Sequence, residues 1–483
     1  MAKWFAIMLF IACSWYASAN VKSSPNIIFI LADDLGYGEL GCYGQQVIQT
    51  PRIDRMALEG LRFTHFYAGA TVCAPSRSVL MTGQHHGRTR VRGNARAKNP
   101  GAQALLDGEK TIAQMLKQQG YKTALVGKWG LGDKGAAVSG LPRRQGFDYF
   151  FGYLNQCHAH NHFPDFMWRN EKQVRLPNII VPKGPDGAGY AMEAKVFADA
   201  LFTEEALAFV RDNRATPFFL FWSMVIPHAN NERAIALGDG AEVPDYGLYA
   251  DKPWPMPDKG HAAMITLMDS YVGRMLDELR VLGIAENTLV IFTSDNGPHN
   301  ESYHDLTRFT PSGPFSGIKR SLTDGGIRVP CIVWWPGRVG GDGVSGHVAY
   351  FGDWMATFAE LVGTVMPEGR DSLSLASTLT GNGIQARHEF LYWEFHEGGF
   401  RQAALYDGRW KGIQDGAPNA SIRLYDQQQD VAETNDVAAL YPDVAAKISD
   451  YLNSARTESA EWLPNWRVLK AEANHAQASG LLR

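Results

Sequence analysis

Cysteine is scarce in this chain. There are five in 483 residues, Cys13, Cys42, Cys73, Cys157 and Cys331, and no two stand at a metal-knuckle spacing. That excludes a disulfide-stapled scaffold and a thiolate zinc site. With Cys13 in a leader and Cys73 set aside for chemistry, at most one bridge can form. No apolar run is long enough to span a bilayer; Trp4 to Ala12 is too short. A basic surplus is missing as well. Lys and Arg number 46 against 50 Asp and Glu, a formal net charge of −4, with no basic tail or stripe. Nucleic acid is therefore excluded as the main partner. No internal repeat or low-complexity segment occurs.

What is present describes a globular protein. The chain is 45% apolar and 20% charged, and its length exceeds what one core usually supports. Lys3, the apolar stretch to Ala12 and the small residues Ala17-Ser18-Ala19 form an export signal over residues 1–19, with cleavage before Asn20. Lipid attachment at Cys13 is the alternative. The mature protein is thus expected to be periplasmic or secreted. Two units are expected after it: 20–374, and a smaller one over 375–483.

The first unit alternates buried strands with helices. Asn26–Ala32 is a continuous apolar run, as in a strand covered on both faces. Helices are predicted over 50–60, 111–119, 202–213 and 264–282, and strands over 121–126, 217–226, 289–294 and 327–335. This pattern gives an α/β sheet with helices on both faces. Asp33, Asp34, Lys128, His228, Asp295 and Asn296 all fall just past the carboxyl ends of predicted strands. In open α/β sheets that edge binds ligands. After about residue 365 short segments at 389–395, 403–407, 409–414 and 422–425 predict a small antiparallel sheet. A helix over 441–455 follows it.

One stretch stands apart, Thr71-Val72-Cys73-Ala74-Pro75-Ser76-Arg77. Proline fits a helix's first turn, which places Cys73 at a helix mouth where free amides favour negative charge, with Arg77 one turn in. The stretch reads equally as a nucleophile facing an anion or as a small hydrophobe packed beside a helix. The paired aspartates with Asp295-Asn296 supply three carboxylates and an amide oxygen. Hard oxygen donors of this kind suit calcium or magnesium and not zinc.

Cys73-Ala74-Pro75-Ser76-Arg77 resembles the C-x-P-S-R signature of type I sulfatases, of the alkaline phosphatase superfamily. The likeness runs on through Asn26 to Gly36, Gly127-Lys128-Trp129, Pro227-His228, Ser294-Asp295-Asn296-Gly297, Gly317-Ile318-Lys319, Gly325 to Pro330 and Leu424-Tyr425-Asp426. It implies a large, mostly parallel mixed sheet sandwiched by helices (alkaline-phosphatase-like) with a smaller C-terminal α+β domain. It implies that a maturation enzyme oxidises Cys73 to formylglycine, whose hydrate is the nucleophile. It further implies one calcium held by Asp33, Asp34, Asp295, Asn296 and residue 73. Arg77 would steady the nucleophile, Lys128 and Lys319 would grip the sulfate, and His228 would protonate the leaving oxygen.

The chain departs from the pattern at Gly130, where Lys-Trp-His-Leu-Gly is common in the family and Lys128-Trp129-Gly130-Leu131-Gly132 stands here. The nearest histidines, His158, His160 and His162, alternate in one loop. An H-x-H-x-H run can hold zinc, but no thiolate or carboxylate accompanies this one at suitable spacing. Substrate contact, His160 first, and an exposed loop fit them equally, with Arg401 and His396 as further pocket residues. Arg92 could add positive potential for a polyanion. The expected activity is hydrolysis of sulfate esters on a carbohydrate; an algal galactan such as carrageenan fits, though no residue selects it. The alternatives are an arylsulfatase, a phosphonate or phosphate monoester hydrolase, and a silent glycan-binding relative.

Overall fold

A computed structural model describes residues 24–94, 100–416 and 420–464. The leader expected over 1–19, with Cys13, lies outside the described residues. Ten strands form the main sheet: β1 Asn26–Ala32, β2 Leu61–Phe63, β3 Lys122–Lys128, β4 Tyr149–Tyr153, β5 Phe166–Arg169, β6 Lys172–Arg175, β7 Phe218–Ser223, β8 Thr288–Ser294, β9 Cys331–Trp334 and β10 Gly343–Ser345. Their order across the sheet is β10-β2-β9-β8-β1-β7-β3-β4-β5-β6. The central five, from β8 to β4, run parallel, and β9 and β5 turn antiparallel on either side.

The apolar runs explain this arrangement. Every residue of β1 is buried. Ile27, Phe29 and Leu31 enter one core with α2 (Cys73–Thr82), α3 (Ile112–Gln118) and α6 (Asp353–Val362). Ile28, Ile30 and Ala32 enter the other, with α1 (Pro51–Leu58), α4 (Ala198–Asn213) and α5 (Met256–Val281). Side chains alternate across a strand, so an unbroken apolar strand needs a helical layer on each face. Each large side chain so buried contributes about 1.5–3 kcal/mol.

Two boundaries differ from expectation. The fifth helix starts at Met256, eight residues before Met264, because Pro257 occupies its first turn, where proline's missing donor is harmless. The strand expected from Ile327 begins only at Cys331. Asp324–Ile327 closes a helical turn there, and Pro330 has no amide to give.

The C-terminal domain is a four-stranded antiparallel sheet of β11 Phe390–Phe395, β12 Arg401–Tyr406, β13 Trp410–Asp415 and β14 Ile422–Asp426. α7 (Pro442–Ala455) covers one face through Ile448 and Leu452. The other face joins the main core, and the Trp393 indole donates to the Ala68 carbonyl at 2.9 Å. Residues 363–389, which link α6 to this sheet, contain the boundary we place at 375. Cys42, Cys73, Cys157 and Cys331 are all free thiols.

Candidate active site

Four adjacent central strands aim their carboxyl ends at one place. β8 ends at Ser294, before Asp295 and Asn296; β1 ends at Ala32, before Asp33 and Asp34. β7 leads through a short loop to His228, and β3 ends on Lys128 itself. Strand order therefore brings together residues more than 260 positions apart. Asp34 takes a left-handed φ of 67°, a conformation that a short polar side chain tolerates and that turns the chain at once. Its amide donates to Asp295 Oδ1 at 3.1 Å, while the Leu35 amide donates to Ser294 Oγ at 2.8 Å.

Cys73 opens α2, as its proline spacing predicts, and no side chain caps that helix. Its Sγ lies 3.3 Å from Asp33 Oδ1. Burial, reinforced by Asp33, pushes this thiol well above its ordinary range, so the unmodified residue is a neutral thiol and not a thiolate. Arg77, fully buried one turn along, is occupied with positioning. It donates to Asp295 Oδ2 at 3.0 and 2.8 Å, to the Lys128 carbonyl at 2.8 Å, and to Ser223 Oγ.

The expected donor set comes together in part, since both Asp295 oxygens are engaged by the Asp34 amide and Arg77. Donor atoms of Asp33, Asp34, Cys73 and His228 all lie within 4.8 Å of one another. Asn296 gives Nδ2 to Asp34 Oδ1 at 2.7 Å and to the Gly297 carbonyl at 2.9 Å, which leaves its Oδ1 buried without a partner. A buried acceptor without a donor is costly unless something binds it. The carboxylates also compete. Burial works against ionising Asp33, but Lys128, His228 and Arg77 outweigh it and hold that group far below its usual range. Burial and the Asp33 charge push Asp295 up to about 7. Three carboxylates this close ionise together only with additional positive charge.

Lys128 and Lys319 flank the centre. Lys128 Nζ pairs with Asp33 Oδ2. Lys319 Nζ reaches Asp34 Oδ2 at 2.9 Å, Glu301 Oε2 at 2.7 Å and His228 Nε2 at 3.2 Å. His228 Nδ1 contacts the Ala229 carbonyl at 2.7 Å, which assigns the proton to Nδ1 and leaves Nε2 facing the pocket. Burial and Lys319 lower His228 well below its ordinary value. Its backbone is fixed from two sides: His299 Nε2 donates to the Pro227 carbonyl and His162 Nε2 meets the His228 carbonyl, each at 2.9 Å.

A family model described as Sulfatase matches residues 25–364. The chain belongs to the sulfatase family. It is therefore an enzyme that hydrolyses sulfate esters. It is 31% identical to the N-acetylgalactosamine-6-sulfatase of Canis lupus familiaris over 411 residues, covering 81% of this chain and 73% of that one. It is 29% identical to the N-acetylgalactosamine-6-O-sulfatase of Bacteroides thetaiotaomicron, covering 90% of this chain and 94% of that one. Among solved structures it resembles Ps i-CgsB with a TM-score of 0.75 and 25% identity, over 91% of this chain and 94% of that chain. The family is generally metal-dependent, and the donor group around Asp33 and Asp34 is where this sulfatase offers a site.

The substrate-facing assignments divide. His160 stacks on His228 at 4.9 Å and 13° and pairs with Glu232 at 3.1 Å, so it borders the pocket. His158 points elsewhere. It is enclosed by Tyr153 and Phe166, with ring centroids at 4.7 and 4.3 Å, and by Gly187, because the loop turns it into the core. His162 supports His228 from behind instead of facing substrate. Arg401 donates to the Arg320 carbonyl at 3.3 Å, on the rim beyond Lys319. His396 is tied to Glu394 at 2.9 Å, and Arg92 is consumed by Thr457 at 2.7 and 2.8 Å. Glu301 is the main residue that sequence reasoning missed. It bridges Lys319 and Arg320, with Arg320 at 2.7 Å, from a loop whose spacing carries no signal.

Proposed function

We propose that this sulfatase is an exported, calcium-dependent enzyme that uses formylglycine at position 73 to cleave sulfate esters of a sugar. The observation that carries the reading is the placement of Cys73. A buried neutral thiol sits against Asp33, within electrostatic reach of the buried lysines Lys128 and Lys319. A thiol so disfavoured from ionising is a poor nucleophile, whereas its aldehyde hydrate offers two hydroxyls at the same position. A separate maturation enzyme would carry out that oxidation.

In this reading Asp33, Asp34, Asp295 and Asn296 hold calcium with residue 73. Bound there, calcium offsets the carboxylate charge and makes a hydrate hydroxyl easier to ionise. Arg77, fixed by Asp295 and the Lys128 carbonyl, keeps the carboxylates and the nucleophile helix in register. One hydrate oxygen bonds to sulfur as the bond from sulfur to the sugar oxygen breaks. His228 Nε2 delivers a proton to that departing oxygen, and the substrate's negative charge favours the protonated imidazole. Lys128 and Lys319 neutralise the sulfate oxygens as charge develops. The second hydrate hydroxyl then gives its proton to the now neutral His228 Nε2, the carbon–oxygen bond to sulfate breaks, the aldehyde re-forms, and water rehydrates it.

The sugar assignment rests on the two relatives named N-acetylgalactosamine-6-sulfatases and on the pocket border of His160 and Glu232. Export rests on the leader-like N-terminus. Among the described residues no helix is long and apolar enough to cross a membrane. The test measures sulfate release from a panel of sulfated oligosaccharides of known linkage, beside an aryl sulfate and an aryl phosphate. A mass spectrum of the Cys73 peptide should show aldehyde in place of thiol. Cys73→Ala should lose on the order of 10,000-fold in turnover or more. Full activity with an intact thiol would reject the nucleophile, and a preference for the aryl phosphate would reject the substrate class.

A further inference from the structure

Gly130 and Gln156 are linked by geometry that the reaction as described does not use. Gly130 has a left-handed φ of 82°, and a Cβ built on it would lie 2.6 Å from Gln156 Nε2. The carboxamide of Gln156 thus fills the volume that a side chain at position 130 would take. Both of its polar atoms are buried, and neither has a hydrogen-bond partner.

Its neighbours in the chain lead to the pocket. Gly130 stands two residues beyond Lys128, and its amide donates to the Leu154 carbonyl at 3.0 Å. Gln156 opens the short turn Gln156–Ala159, held by Asn155, whose Oδ1 accepts the His158 amide at 2.8 Å and whose Nδ2 donates to Asp133 at 3.0 Å. The neighbouring Cys157 lies within electrostatic reach of both Lys128 and Glu232, and His160, at the end of that turn, stacks on His228. The turn therefore spans from the Lys128 wall to the His228 wall.

We propose that Gln156 is a substrate-binding residue whose Nε2 donates a hydrogen bond to an oxygen of the ester's sulfate group, in the place left open by Gly130. This rests on the sulfate-ester reading above. A neutral carboxamide supplies a donor but carries no transferable proton, so proton transfer stays with His228. A buried amide with both ends unpaired is a costly group that a bound oxyanion would satisfy.

The test uses the mature, aldehyde-bearing full chain. Gln156→Ala and Gln156→Glu are compared with wild type in kcat and KM on a sulfate ester the wild type turns over, and in affinity for inorganic sulfate by calorimetry. Thermal midpoints check that both variants fold. Gln156→Ala should lower kcat/KM and sulfate affinity together, roughly 10- to 100-fold. Gln156→Glu should lose more, because it sets a carboxylate against the sulfate, and should recover in part as acid protonates that carboxyl. Folded variants within twofold of wild type in both measures would overturn the proposal. So would a loss of turnover with unchanged sulfate affinity. An inactive wild type would instead count against the sulfate-ester reading itself.

Discussion

The segment from Gly317 to Arg328 feeds two buried charge clusters that resemble each other closely. In the pocket, Asp33, Asp34 and Asp295 face Arg77, Lys128 and Lys319. Beneath the C-terminal sheet, Asp324 and Glu433 face Lys411 and Arg328. Both are charge-balanced. The pocket holds Asp33 and Asp34 below their ordinary range and the joint holds Asp324 there, and each drives one carboxyl up to about 7, Asp295 and Glu433. By charge and burial alone they could not be told apart. The difference is the chemistry set beside the charges. Lys411 sits 2.7 Å from Asp324 and 3.2 Å from Glu433, Tyr67 adds a hydroxyl to Asp324, and no nucleophile is near. In the pocket the Asn296 oxygen has no partner, Lys319 lies against an imidazole nitrogen, and Cys73 faces the group. Perturbed titration marks both a joint and a reaction centre, and each cluster keeps one buried oxygen without a hydrogen bond, Asn296 Oδ1 and Glu433 Oε1; a cysteine set against the carboxylates marks only the second.

The largest effects should separate the clusters cleanly. Lys411→Met leaves Glu433 buried without its cation and Asp324 with Arg328 alone, and should destabilise folding by about 3–5 kcal/mol. Turnover per folded molecule should stay within about twofold, because Lys411 touches no group of the pocket. Lys319→Met also strips a cation from the buried Asp34 and should destabilise comparably, but unlike Lys411→Met it should lower kcat per folded molecule roughly 100- to 1,000-fold. Denaturant unfolding and kinetics on both variants check this. If folded Lys411→Met lost turnover as heavily as Lys319→Met, the two clusters would be one functional unit.

Sequence carried much of this division and not all of it. The central strands were legible because burial on both faces makes them apolar throughout, as in Asn26–Ala32. Their ends were legible because polar residues interrupt those runs abruptly, and parallel order then places Asp33, Lys128, His228 and Asp295 together. The stretch 166–193 was not legible. Its strands are four or five residues long and half exposed, which leaves little alternation to read. The histidine loop misled for a related reason. His158, His160 and His162 alternate as though sharing a face, but a helical turn at Gln156–Ala159 sends them to the core, the pocket border and the back of His228. Glu301 gave no signal, since it earns its place through contacts in space with Lys319 and Arg320.

Metal should act on one cluster only. Calcium at about 100 times its dissociation constant should raise the stability of the mature protein by about 2.7 kcal/mol. Lys411→Met should keep that increment, whereas Asn296→Leu, which removes the unpartnered oxygen, should lose most of it. Thermal melts with calcium and with chelator make the measurement. A midpoint indifferent to calcium in the wild type would remove the metal from the pocket and return the two clusters to equivalence.

The smallest effect is the sharpest on sign. Burial raises Glu433 from 4.5 to about 7. Between those values the folded protein keeps a proton that the unfolded chain has released. Its contribution to stability is therefore present below about pH 4.5 and is lost as pH rises through about 7. Asp295 is raised for the same reason, with Asp33 adding to it, but a bound cation favours its ionised form and cancels that slope. In saturating calcium the remaining decline from about pH 5 to about pH 8 should then belong largely to Glu433. Glu433→Gln should flatten it by about 2 kcal/mol. Chelation should bring part of the slope back through Asp295, and calcium affinity should strengthen as pH rises past that carboxyl. An unchanged slope in Glu433→Gln would mean that Lys411 keeps Glu433 ionised throughout, and the likeness between the two clusters would then end at their charge balance.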